Sequence, residues 1–536
     1  MTEPGTKRSV REGIPSGAGH GAVVAGLLAV YLLLSLNHLG SVPPVYEDEP
    51  WQASTGWKLA TEGVFGSDLF AGYFGMERHY YGFMPLHPLL LAATFKLAGL
   101  GLVQARMETV ALGGMALLLT YALGRRLFDR KIALLALALL LLVRLTGTTR
   151  YLLTGIPFLD LSRIARYDMV VLVLGLAALH LLLSAREHDH PGLYLLAGIA
   201  SALAGLGHVY GVFWILVLFA YSIWDGAGLY RIGLLALGFC LPWAGYGIYV
   251  WGNLPDWIGQ TQGYASRFQL TNLSWYWANA ASEPQRYGPG LGPLGPGYLL
   301  RPGFWVAAMV LPGSLAVLTW RALRLGDRKA RAIAIPLLVF PILFALLLTL
   351  KLVNYTLTFL PIAALAAAWG SRSLWTLSRS VWHGAALRLA LILVSAAIVL
   401  EGISRLIILQ TAAAQTTAYG DFIERVRREI PPGSTVLGLH NYWLGLHEFE
   451  YRSWPMPLLL GSTAGGDPTS IVIEALTQMD PDVILIDDRM REYFDLHLPD
   501  DPVARAAFGW VEGRHFVLLG AVDDRTYGRM EIYGRP

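Results

Sequence analysis

Long apolar stretches recur along this chain in a number that no single soluble core absorbs. A helix that crosses a bilayer needs about 20 mostly apolar residues, each rising 1.5 Å. Runs of that kind occupy residues 21–39, 107–124, 131–147, 168–184, 192–207, 208–224, 231–250, 303–320, 333–350, 354–371 and 386–404. Charged side chains make up 15% of the 536 residues, whereas soluble proteins carry about 25%. That balance excludes an ordinary soluble enzyme, and the abundance of Leu, Ile, Val and Phe excludes disorder. The class expected is a mainly α, polytopic membrane protein with about 11 transmembrane helices plus interfacial helices, followed by a C-terminal soluble α/β domain. A formal net charge of +3 gives no argument for nucleic acid. The single cysteine, Cys240, lies in an apolar run, which leaves no disulfide within the chain and no cysteine-based zinc site.

The distribution of Lys and Arg sets the expected sidedness, because short cytoplasmic loops collect them. A twelfth run at 86–103 is short, opens between Pro85 and Pro88, and carries Lys96. If it does not cross, then Arg8 with Arg11, Arg125 to Lys131, Arg186, Arg231, Arg321 to Arg331, and Arg372 with Arg379 all fall on one side. If it does, the first of these segments parts from the rest. The run therefore reads as interfacial or re-entrant, with a cytoplasmic N-terminus and an external C-terminus. The first apolar run reads as a retained anchor, since nothing like a small-residue cleavage site precedes the acidic cluster at 47–49.

On this topology residues 1–404 form the membrane region, with long external loops at 40–106 and 251–302, and residues 405–536 form an external, periplasmic-side α/β domain. Within the second loop Pro289 to Gly297 is built of Pro, Gly and Leu, a composition that holds neither helix nor ladder and reads as a linker or a lid. In the tail, strands are expected at 434–439, 483–486 and 516–519, and helices at 416–429 and 470–478.

Three features carry ionised groups to the external face. Tyr46-Glu47-Asp48-Glu49-Pro50-Trp51 follows the first span; its acids either cap the helix that Pro50 opens or are used chemically. Arg166-Tyr167-Asp168 opens a later span, where an acid also suits the positive end of a helix dipole. Lys351 to Tyr355 lies between two spans, against the charge trend; the lysine either snorkels to the interface or meets a phosphate. The topology places Asp48, Asp168, Lys351, Arg78, His79 and His87 on one side. Carboxylates beside cations at the lipid boundary suit a reaction in which a lipid phosphate leaves a sugar while an acceptor hydroxyl is deprotonated. His208 reads as a residue of a helix turn, and His440-Asn441-Tyr442-Trp443, at the end of a strand, as a polar loop or a ligand contact.

In these residues the chain resembles the GT-C glycosyltransferases that use polyprenyl-phosphate sugars, in the branch of protein O-mannosyltransferases and lipid A aminoarabinose transferases. The likeness rests on Asp48-Glu49 after the first span, Arg166-Tyr167-Asp168, Lys351 with Tyr355, Met84 to Leu89, and Gly124 to Phe128. It implies that Asp48 is the acceptor-activating base, Glu49 its neighbour in the pair, and Asp168 a second acid that orients the acceptor or a bound ion. Lys351 would be a donor-phosphate ligand, with Arg78, His87, Arg166 and Tyr355 as further donor-side groups. Aminoarabinose transferases resemble one another in an Arg and a Lys where this chain has Trp51 and Met84, so Arg78 or His87 would supply that charge here. A divalent cation, if one is used, would sit at Asp48 and Asp168.

The function expected is inverting transfer of a single sugar from a polyprenyl-phosphate donor, such as an undecaprenyl phosphate, to an acceptor hydroxyl on a lipid, glycan or protein. The enzyme would be a hexosyl- or pentosyltransferase of the plasma membrane, with membrane lipid and acceptor as its partners and no nucleic acid. The alternatives are a flippase or transporter of lipid-linked sugars, and a polymerase or ligase of lipid-diphosphate-linked glycans.

Overall fold

The computed structural model describes residues 18–265, 267–286, 301–458 and 467–536. The chain is mainly helical, with a small sheet at its C-terminal end. Among the described residues, twelve α-helices precede residue 283: α1 (Ala18–Leu36), α2 (Asp48–Glu62), α3 (Leu86–Ala98), α4 (Leu102–Leu127), α5 (Arg130–Leu142), α6 (Pro157–Ser162), α7 (Asp168–Glu187), α8 (Pro191–Gly207), α9 (Phe213–Trp224), α10 (Leu229–Trp251), α11 (Leu254–Ala265) and α12 (Leu273–Ser282). Then come α13 (Pro302–Arg324), α14 (Arg328–Leu347), α15 (Leu360–Leu377) and α16 (Gly384–Gln415).

Among the described residues six helices, including α4, α7, α10, α13 and α14, are long and apolar enough to cross a membrane, and α1, α3, α8 and α9 include shorter apolar segments. Each of the eleven apolar runs read from the sequence falls on a helix. Large apolar side chains point outward along them, Leu33 on α1 at 71% exposure, Ile248 on α10 at 76% and Leu400 on α16 at 70%. An outward apolar belt is what lipid, and not water, solvates. The run at 86–103 divides into α3 and the start of α4 at Gly99, which has a φ of 79°. α3 packs closely on the amphipathic α2: a Cβ on Gly56 would lie 2.9 Å from Leu91 Cβ and 3.0 Å from the Pro88 carbonyl.

Side chains in otherwise apolar surroundings fix the helix ends. Asp129 caps α5 by accepting from the Lys131 and Ile132 amides at 2.8 and 3.0 Å, and Asp327 does the same for α14. Asp225, 1% exposed, gathers Arg186 of α7 with Arg328 and Arg331 of α14, at 2.5, 2.8 and 3.3 Å. This staple fixes one end of α7; the other end carries Asp168.

The tail holds α17 (Tyr419–Arg428), α18 (Pro468–Met479), α19 (Asp488–His497) and α20 (Pro502–Gly513) around five strands. These are β1 (Thr435–Gly438), β2 (Glu450–Ser453), β3 (Val483–Asp487), β4 (Val517–Asp524) and β5 (Gly528–Gly534), in the order β2-β1-β3-β5-β4. The first three run parallel; β5 pairs antiparallel with β3 and forms a hairpin with β4. The expected strands and helices of the tail are present, and β2 and β5 are additional. The stretch Pro289 to Gly297, read as linker or lid, lies outside the described residues.

The tail shares a core with the first long loop. Val45, Ala53, Phe70 and Tyr80 belong to the same apolar cluster as Phe422, Leu437, Trp454 and Ile484. The Asn441 side chain donates to the Val45 carbonyl at 3.1 Å, and the Tyr419 amide to the Gly40 carbonyl at 3.3 Å.

Candidate functional site

The segment from the end of α1 to the start of α2 is held by two buried arginines. Arg163 donates to the carbonyls of Leu34 and Ser35, in the last turn of α1 where the helix's own ladder leaves carbonyls unpaired, and to those of Asn37 and Val42 beyond it. Arg106, at the head of α4, donates to the Leu39 and Pro43 carbonyls at 2.8 and 2.9 Å. Its remaining nitrogens grip Glu49 as a fork, Nε to Oε1 at 2.7 Å and Nη2 to Oε2 at 2.8 Å. Glu49 also accepts from the Tyr46 and Ala165 amides at 2.8 and 2.9 Å. Both partners are 0% exposed, so Glu49 acts as a post that anchors α2 and touches no open space.

Anchoring Glu49 presents its neighbour. Asp48 is the first residue of α2, the capping position belongs to Glu47, and no side chain caps the helix, so the capping role weighed for Asp48 is not the one it plays. Its carboxylate pairs with Arg166 Nη1. Arg166 Nε donates to Asp168 Oδ2 at 2.8 Å, and the Tyr210 hydroxyl donates to Asp168 Oδ1 at 2.7 Å. One guanidinium therefore joins the two acids that the sequence placed on one face. Arg166 lies over the rings of Tyr46 and Tyr167, at 4.9 and 4.8 Å, which fixes its plane. Exposure separates the acids: the Asp48 side chain is 20% exposed, Asp168 2% and Arg166 1%. Burial pushes the Asp48 carboxyl above its ordinary 3.8, with Arg166 opposing the rise and Asp168 and Glu49 adding to it.

A second cluster stands beside the first. Lys351 Nζ pairs with Glu283 Oε2 at 3.0 Å and donates to the Ala345 carbonyl at 3.2 Å. Arg286, fully buried, pairs with the same Glu283 at 2.7 Å and lies over the rings of Phe344 and Tyr355 at 5.2 and 5.9 Å. Tyr355 in turn packs on Tyr210 at 4.8 Å. Tyr355 thus separates the lysine cluster from the aspartate cluster. His208, at the helix break between α8 and α9, stacks on Tyr167 at 4.1 Å and packs tilted against Tyr210 at 4.5 Å, completing an aromatic wall.

Of the groups expected on the donor side, Arg166, Tyr355 and Lys351 belong to these clusters. His87 is fully buried, with Nδ1 on Gln52 at 2.5 Å and Nε2 on Glu108 at 3.1 Å, so it braces α2 against α4. Arg78 is two-thirds exposed and pairs with Glu77 at 3.3 Å. Sequence reasoning did not bring in Arg106, Tyr210, Glu283 or Arg286. A lone arginine beside an apolar run signals a partner without saying which, and Tyr210 is one tyrosine among 25.

Among the described residues no group of three or more His, Cys, Asp and Glu side chains is arranged to hold a metal ion. Asp48 and Asp168, the donors considered for one, share the Arg166 guanidinium. A cation between them would face that positive charge at hydrogen-bond range, so the donor set does not fit one in this arrangement.

Residues 84–246 match the sequence model of the family described as dolichyl-phosphate-mannose-protein mannosyltransferase. That stretch contains Arg166 and Asp168. No curated protein matches the chain by sequence. In three dimensions the chain is similar to ArnT from Cupriavidus metallidurans bound to undecaprenyl phosphate, with a TM-score of 0.60 and 15% identity over 97% of this chain and 98% of that one. It is similar to the Archaeoglobus fulgidus oligosaccharyltransferase in its apo form, with a TM-score of 0.57 and 13% identity over 91% of this chain and 72% of that one. Archaeal oligosaccharyltransferase AglB from Archaeoglobus fulgidus, in complex with an inhibitory peptide and a dolichol-phosphate, matches at a TM-score of 0.56 and 12% identity, over 96% of this chain and 74% of the other. The chain thus has the fold of the GT-C glycosyltransferases, with helices long and apolar enough for a multi-pass membrane protein, and it resembles their protein-mannosyltransferase and aminoarabinose-transferase branch.

Proposed function

We propose that this protein is an inverting glycosyltransferase that moves one sugar from a polyprenyl-phosphate donor to an acceptor hydroxyl at the external face of the plasma membrane. Residues 1–404 would cross the bilayer eleven times from a cytoplasmic N-terminus, and residues 405–536 would stand outside as an α/β domain. The reading rests on one observation: Asp48 is the accessible member of a buried acid cluster, held in place by Arg166 and anchored through Glu49.

In this mechanism Asp48 takes the proton from the acceptor hydroxyl as its oxygen attacks the anomeric carbon. The bond between that carbon and the phosphate oxygen breaks, and its electron pair leaves with the polyprenyl phosphate. A phosphate ester is a good leaving group, so no general acid is needed; the charge it carries away must be met. Lys351 does this: its partner Glu283 is shared with the fully buried Arg286, so one carboxylate serves two cations and the lysine keeps charge for the phosphate. Asp168, bonded to Arg166 and Tyr210, keeps the guanidinium in place and so sets the position of the base. Support for a lipid-phosphate donor comes from the two structural neighbours bound to undecaprenyl phosphate and dolichol-phosphate.

The test is purified protein assayed with a panel of polyprenyl-monophosphate sugars, scoring the lipid phosphate released. Release from a monophosphate donor that stops in Asp48→Asn is the expected result. Consumption of diphosphate-linked donors alone would replace this reading with that of a polymerase or ligase.

A further inference from the structure

Away from the acid cluster, a polar cleft of about 380 Å³ opens between the second half of α2 and the tail. From α2 it takes Ser54, Trp57, Lys58 and Glu62, which share one face of the helix at spacings of three, four and eight. The tail supplies Trp443, His447, Glu450 and Arg452. Three of these are aromatic in the sense that matters for a ring-shaped ligand: the His447 ring lies edge to face on Trp57 at 6.0 Å and on Trp443 at 6.1 Å. The charges around them are paired. Lys58 bonds to Asp68 and lies 3.6 Å from Glu62, while Arg452 pairs with Glu450 and donates to the Asp68 carbonyl at 3.0 Å.

This pairing decides the ligand's chemistry. Three carboxylates and two permanent cations leave no positive surplus for a phosphate or sulfate. They do leave planar groups, held by one another, whose free lone pairs and N–H bonds suit hydroxyls. Aromatic faces beside such groups match the two sides of a pyranose, with its apolar C–H face and its polar rim. The volume falls within the range of small-ligand sites.

We propose that this cleft binds a neutral saccharide and, given the glycosyltransferase reading above, that it holds the glycan portion of the acceptor. Between Asp48 and Lys58 the helix rises about 15 Å. A sugar in the cleft is therefore several rings away from the hydroxyl at Asp48, and the acceptor is an oligosaccharide or a molecule that already carries one. α2 serves as the ruler between the two points.

The test is saturation-transfer NMR of the full-length protein in nanodiscs with four neutral trisaccharides: mannotriose, maltotriose, cellotriose and N-acetylchitotriose. Binding of at least one in the millimolar range is expected. The double variant His447→Ala with Glu450→Ala, both solvent-exposed positions, should weaken it about tenfold, the worth of a hydrogen bond and a ring contact. Asp48→Asn should leave it unchanged. Failure of all four to bind, or equal binding by the double variant, overturns the proposal. Lipid-phosphate release is measured on the same preparations. Binding without release at any donor overturns the transferase reading alone, and release without binding overturns the cleft alone.

Discussion

The two charged clusters on either side of Tyr355 carry opposite surpluses. Around Arg166 there are two carboxylates to one guanidinium; around Glu283 there are two cations to one carboxylate. In water such imbalances would be screened within about 8–10 Å at ordinary ionic strength. Most of the groups here are buried, so each surplus remains available to a ligand. A base has to be negative where the acceptor arrives, and a leaving phosphate has to meet positive charge. On the proposed function, the contrast teaches that the fold would separate those needs by placing one aromatic side chain between them, so the surplus of a cluster says more than any single residue does.

The sharpest way to break this comparison is to neutralise its negative side. Asp48→Asn should lower kcat by about 10²–10⁴, the usual worth of a positioned general base, while leaving the unfolding temperature and donor binding close to those of the parent. Transfer that persists at a tenth of the parent rate or more would remove Asp48 from its role. Glu49→Ala tests the post beneath it. Removing one partner of a buried ion pair costs about 3–5 kcal/mol, so this variant should be lost to thermal unfolding or low yield. A stable Glu49→Ala protein would show that α2 is held by other means.

On the positive side, Lys351→Met should raise KM for the donor about 10–100-fold, as expected for losing one hydrogen bond to a charged group, with a smaller change in kcat. The reverse pattern, a kcat defect at unchanged KM, would tie Lys351 to the aspartate cluster. The pH profile sharpens the contrast further. Since burial holds the Asp48 carboxyl above 3.8, the acid limb of kcat/KM should also lie above that value. Between the unfolded and folded pKa values the folded state binds the proton more tightly, so this group's contribution to stability falls as pH rises through that window. Asp48→Asn should flatten that part of the stability curve, which differential scanning calorimetry reads directly. The smallest effect is expected for Tyr210→Phe, which deletes one hydrogen bond to Asp168; about 1 kcal/mol of stability and a few-fold loss of kcat should follow, measured by melting and by steady-state rates.

Much of this arrangement was legible because charge is scarce. In a chain with so few ionised side chains, Asp48, Asp168 and Lys351 stand out at the ends of apolar runs, and counting crossings places them on one face. The residues by themselves did not divide Asp48 from Glu49; only the family resemblance set them apart. The two are adjacent and chemically alike, and only the fork of Arg106 decides that one is a buried post and the other an accessible acid. Arg106 with Glu49 and Lys351 with Glu283 pair across separations in sequence that no periodicity encodes, whereas Glu283 with Arg286 stands at the helical i,i+3 spacing and was passed over. In the tail, β2 is four residues with two charges and offers no apolar run. For β5 the signal existed, since Arg529, Met530, Glu531 and Ile532 alternate polar with apolar, and the register follows that period.

The contact of Asn441 with Val45 joins residues 396 positions apart. A ribosome adding about 5–20 residues per second delivers the first of them roughly 20–80 s before the second. Throughout that interval the loop bearing Asp48 lacks its cover, and Val45, Phe70 and Tyr80 have no tail to pack against. The loop is completed last although it is made early, so the surroundings of Asp48 are finished only once the tail has been synthesised and has packed against them.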